Sequence, residues 1–154
     1  MRIIILMFVM ITSLFSAAQN MEADIRKKQF NLSGGNLAIG GYDVVCYFTG
    51  KPKLGNKSFS TTHKSITYYF SSQANLDLFN KLPEKFEPVY GGWCAYAMGN
   101  TGEKVEIDPE TYKIVDGKLY LFYNAYFKNT LPKWNKDEKN LKTKADKNWL
   151  TLYK

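Results

Sequence analysis

The chain has 154 residues with one histidine and two cysteines, and carries a formal charge of +7. That length suits one domain, and so few soft ligands exclude a structural zinc site of four cysteines, or of three cysteines and a histidine. The charge does not describe a nucleic-acid binder. The lysines are scattered or, from Lys133 to Lys147, broken up by Asp137, Glu138 and Asp146, and the only arginines are Arg2 and Arg26. They read as a solvated surface attracted to anionic envelope components.

Arg2, the apolar run from Ile3 to Phe15 and the small residues Ser16-Ala17-Ala18 follow the pattern of a cleaved secretory leader over residues 1–18. The run is too short for a membrane span, so the mature protein is expected to be periplasmic or secreted, without a transmembrane segment. Residues 19–35 read as a flexible N-terminal segment, with Gln19–Lys28 either mobile or a frayed helix, and residues 36–154 as one domain. A Gly- and Asn-rich loop holds a short extended piece at Leu37-Ala38-Ile39. Asp43 then caps a helical turn through Val44–Phe48 that stops at Gly50. Lys57–Thr61 and Ile66–Phe70 read as a hairpin, with His63 in its turn. Ser71 or Ser72 caps a helix over Gln73–Lys81, and Pro83 starts another short turn.

Gly91-Gly92 permits tight turning and close approach, and Trp93-Cys94-Ala95-Tyr96-Ala97 reads as the start of a buried helix. Asp108-Pro109-Glu110 opens a turn. Asp116-Gly117 is the strongest hairpin signal, joining Tyr112–Val115 to Lys118–Tyr123. Alternating Leu119, Tyr120, Leu121 and Phe122 make that second strand buried on both sides or dimer-facing. From Asn124 onward the pattern turns helical, with Leu141, Ala145, Trp149 and Leu152 at helical steps. The expected class is α+β: a small antiparallel sheet of hairpins with several short helices and a helical C-terminus.

Several stretches together resemble the secreted, single-domain branch of the YHS-domain family. They are Gly41-Tyr42-Asp43-Val44-Val45-Cys46-Tyr47-Phe48, Tyr68-Tyr69-Phe70-Ser71-Ser72, Tyr90 to Ala97 and Ile114-Val115-Asp116-Gly117-Lys118-Leu119-Tyr120-Leu121, with Lys144–Trp149 near the end. The resemblance implies one YHS-like domain over 36–154. Elsewhere such domains accompany heavy-metal transport proteins, metallochaperone-like chains and metal-dependent oxygenases. Their metal-associated form is similar to this chain at Asp43, Val45 and Cys46. It departs at Val44, which replaces a proline, and at Ser71 with Ala74 or Asn75, which stand where a cysteine pair is expected.

Cys46 and Cys94 have three open readings: a disulfide, ligands to a soft metal, or free thiols. The two are 48 positions apart, so a bridge would restrain the unfolded chain by about 4 kcal/mol. Two thiolates could hold a soft cation such as Cu(I), with His63 or Met98 as a further ligand. Tyr90, Trp93 and Tyr96 either fill core or line an aromatic pocket beside Cys94. No nucleophile elbow, Cys-x-x-Cys or phosphate-cradling glycine loop occurs. The chain therefore reads as a binding module more than a conventional enzyme. Its expected ligand is a copper-like metal at Cys94. The alternative is a disulfide-stabilised envelope protein that holds a small organic ligand or protein partner.

Overall fold

The computed structural model describes residues 20–152, so the expected leader at 1–18 lies outside the described residues. The fold is α+β. A helix over residues 20–29 (α1) leads into β1 (Leu32–Ser33) and β2 (Leu37–Ala38). The hairpin strands β3 (Asn56–His63) and β4 (Ile66–Phe70) follow. These four strands form one sheet in the order β1-β2-β4-β3, antiparallel except for a single parallel pairing of β2 with β4. Helices α2 (Gln73–Lys81) and α3 (Pro83–Phe86) come next, with Ser72 accepting the Asn75 N–H as the α2 cap.

The segment read as a flexible leader to the domain is structured in its described part. Arg26 is buried on α1, pairs with Glu87 and lies 4.4 Å over the Phe30 ring, while Phe30 enters the core. Glu87 is 61 positions from Arg26, so local composition cannot reveal that pairing. His63 also moves from its expected place. It is the last residue of β3, and the turn is Lys64-Ser65, both with left-handed φ (44° and 69°).

The helix expected from Trp93 begins two residues later, as α4 (Ala95–Asn100). The chain before it runs parallel to a later strand through single bridges at Pro88 and Cys94. Tyr90, Gly91 and Gly92 all carry left-handed φ, at 54°, 60° and 87°. A Cβ at Gly91 would lie 2.8 Å from the Trp149 ring and 3.0 Å from the Phe30 backbone, so the close approach read from the glycine pair is real at this residue.

Strands β5 (Asp108–Val115) and β6 (Lys118–Phe122) form the hairpin announced by Asp116-Gly117, with Asp108-Pro109-Glu110 inside its first strand rather than in a separate turn. β6 is buried on both faces. Leu119 and Leu121 join a cluster with Val44, Tyr47, Ile66, Phe70 and Phe79. Tyr120 and Phe122 join a second cluster with Tyr90, Met98, Trp134 and Ala145. Alternation along one strand thus divides the core in two.

After β6 the chain is not yet helical. It makes a small hairpin, β7 (Asn124–Ala125) and β8 (Lys128–Asn129), before α5 (Leu131–Lys136) and α6 (Glu138–Leu152). α6 packs on α4 with backbones nearly touching, because a Cβ on Gly99 would come within 2.4 Å of the Leu141 carbonyl oxygen. No helix among the described residues is long and apolar enough to cross a membrane.

Candidate functional site

Both cysteines are free and buried, and they differ in what surrounds them. Cys46 opens a 3-10 turn, Cys46–Thr49, that ends at left-handed Gly50. This turn exists because Asp43 folds back on the chain: its Oδ1 accepts the Val45 N–H at 2.9 Å. Its Oδ2 accepts the Ser71 N–H at 2.7 Å, the Ser71 hydroxyl at 2.8 Å and the Asn75 side-chain amide at 2.7 Å. A carboxylate with no exposed surface is tolerable only when so well bonded.

The Cys46 sulfur sits against the same two side chains, 3.4 Å from Ser71 Oγ and 3.4 Å from Asn75 Nδ2. Burial alone would raise the Asp43 carboxyl pKa. The bonds from Asn75, Ser71 and Val45 outweigh it and hold the group below the ordinary aspartate value. The Cys46 thiol goes the other way: burial pushes it up and the Asp43 charge adds to the rise, against the Ser71 and Asn75 bonds. Cys46 keeps 8 % of its surface exposed.

Cys94 has none. Its bridge to Leu121 sets it beside the end of β6. There its sulfur accepts the Tyr123 N–H at 3.3 Å and lies 3.4 Å from the Thr130 hydroxyl. Thr130 in turn donates through its hydroxyl and its N–H to the Tyr123 carbonyl, both at 3.0 Å. Cys94 therefore ties together the two ends of the segment that carries β7 and β8.

The other residues read as ligands stand elsewhere. His63 meets the Phe79 ring edge-on at 6.1 Å, with Nε2 3.4 Å from Glu84 Oε1. Met98 is fully buried in the second cluster. Among the described residues, no three His, Cys, Asp or Glu side chains gather as a metal cage requires. What the Cys46 cluster offers is one sulfur at the rim and a negative carboxylate behind it, whose Oδ1 accepts a single bond. That donor set suits a soft cation of low coordination number, not a tetrahedral cage.

Tyr90 is part of the second cluster and Trp93 and Tyr96 pack against it, so all three serve as core, each with its own polar partner. Tyr90 turns inward, donates to Asp146 Oδ1 at 2.8 Å, and lines a shallow groove of about 290 Å³ with Phe30, Trp149 and Lys118. Burial and the Asp146 bond raise its pKa. Trp93 Nε1 donates to the Gln29 carbonyl at 2.6 Å, and Tyr96 lies under Lys133. The sequence offers Ser71 as a helix cap and, through the resemblance, Ser71 and Asn75 as positions where cysteines are missing. Their real role, as joint donors to Asp43 and neighbours of Cys46, could have been sought from the serine hydroxyl and amide at the start of α2.

Comparison of the chain with protein families, with curated proteins and with solved structures returns no match.

Proposed function

We propose that this chain is an exported YHS-type binding module whose ligand is a soft transition-metal ion, copper foremost, taken at Cys46. One observation carries the reading. The positions that correspond to the family's two metal-associated stretches meet in space: Asp43 and Cys46 from the first, Ser71 and Asn75 from the second, all within hydrogen-bonding distance. Cys46 is the sulfur donor. Asp43 supplies negative charge that favours a cation. Ser71 and Asn75 bond to the carboxylate and touch the sulfur, holding the two groups together. Cys94, walled in and engaged by a backbone N–H, serves the fold, which moves the metal role from position 94 to position 46.

Titration of the reduced protein with Cu(I) against a competing chelator tests this. Binding is expected in wild type and in Cys94→Ser, and is expected to vanish in Cys46→Ser. Retention by Cys46→Ser equal to wild type refutes the Cys46 assignment, and no retention by wild type refutes the metal.

The groove beside Tyr90 favours a second reading, a site for a small organic ligand that packs against Trp149 and meets Lys118. Trp149→Ala would then abolish ligand-induced stabilisation in a thermal-shift screen while leaving Cu(I) retention intact.

A further inference from the structure

The β7–β8 hairpin is built against the usual turn chemistry. Its two turn residues, Tyr126 and Phe127, both have left-handed φ (49° and 62°). Two-residue hairpin turns of this kind favour Asn-Gly or Asp-Gly, because side chains beyond Cβ are strained there. Here the positions hold two of the bulkiest residues, and neither packs inward: Tyr126 is 87 % exposed and Phe127 111 %. The base of the hairpin is held firmly. Cys94 and Thr130 clamp Tyr123, Asn124 donates to Thr111 Oγ1 at 3.0 Å, and Asn129 accepts the Leu131 N–H at 2.9 Å. A rigid stalk thus carries an aromatic tip that the fold does not use.

The charge around the tip indicates what covers it. Lys128 follows Phe127 directly, and α5, which leaves the hairpin's base, carries Lys133 and Lys136; all three lysines are exposed. Of the acidic groups on the adjoining elements, Glu138 is paired with Lys113. Asp108, Glu110 and Asp137 accept only from neutral donors and keep their charge, so the attraction rests on these three lysines and on the net charge of +7 of the whole chain. Exposed aromatic side chains next in sequence to one lysine, with two more on the following helix, fit the interface of an anionic lipid bilayer, where the rings settle at headgroup depth and the ammonium groups meet lipid phosphates.

We propose that Tyr126 and Phe127 form a membrane-docking finger that seats the protein on an anionic bilayer surface. The test is co-sedimentation of the full mature chain with vesicles of mixed phosphatidylglycerol and phosphatidylcholine, beside vesicles of phosphatidylcholine alone. Wild type is expected to partition onto the anionic vesicles, more weakly at high salt and at least about tenfold more weakly onto the neutral ones. The decisive variant is Tyr126→Asn with Phe127→Gly. It supplies the residues the turn prefers, so its thermal midpoint is expected to hold or rise while partitioning falls about tenfold or more. Equal partitioning by that variant overturns the proposal, as does an absence of wild-type binding at low salt. A wild-type dimer in sedimentation velocity that the variant abolishes, with no vesicle binding, overturns it in favour of a second copy as occupant.

Discussion

Cys46 and Cys94 are the same side chain in two opposite settings. At position 46 the sulfur is a peripheral member of a hydrogen-bond network centred on Asp43: the carboxylate accepts from Val45, Ser71 and Asn75, and the sulfur meets the same Ser71 and Asn75 at 3.4 Å. At position 94 the sulfur is itself the acceptor for a buried N–H. One thiol is a guest at the rim and the other is part of the frame. A cysteine's chemistry thus follows from who depends on its lone pairs, a property that sequence neighbours such as Trp93 and Tyr96 do not report.

The strongest way to break this contrast is to remove the carboxylate that organises the rim. Asp43→Ala strands two N–H groups and an amide in a buried place, and a loss of about 4 kcal/mol is expected. In a domain of this size that lowers the thermal midpoint by roughly 12 °C, and a calorimetric scan measures it. Next, Cys94→Ala leaves the Tyr123 N–H unsatisfied and a small void, for about 2–3 kcal/mol by urea unfolding. Cys46→Ala loses packing and two long contacts to Ser71 and Asn75, side chains that keep Asp43 as acceptor, for about 1 kcal/mol or less. Equal costs for the two cysteines would erase the distinction.

A pH series sharpens it further. Because the folded Asp43 pKa lies below its unfolded value, the stability it confers is fully present above about pH 4, the unfolded carboxyl range, and is lost as pH falls through the lower folded value. Asp43→Asn is expected to flatten that acid limb. The smallest effect on stability, though a clean kinetic one, is alkylation. Cys46 is expected to label before Cys94, and slowly for a rim thiol because its pKa is raised. Cys94 is expected to react only as the protein opens. Mass spectrometry of the modified peptides gives the order.

Much of the scaffold was legible where local chemistry and tertiary demand agree. Asp116-Gly117 places the β5–β6 turn, Ser72 caps α2 as its spacing requires, and the two-sided apolar run of β6 lies between two clusters. The failures share a cause. Helical periodicity hid the β7–β8 hairpin because Tyr126 and Phe127 are not turn residues by composition. The helix at 20–29 looked loose because its anchors, Glu87 and the core around Phe30, are supplied from far along the chain. The candidate site was half visible. The resemblance puts Asp43 and Cys46 in one stretch, while the residues themselves give Asp43 as a cap and Cys46 as second to Cys94; their partners lie 25 to 32 positions away, and no spacing rule joins a lone serine and asparagine to a thiol.

Strand β6 has one more consequence. Since Leu119 and Leu121 belong to one cluster and Tyr120 and Phe122 to the other, neither half owns a boundary of its own. Loosening either side strips the strand that the opposite side leans on, so the protein should lose heat-protected structure in a single endotherm, and no proteolytic fragment containing only one half should survive as a folded body.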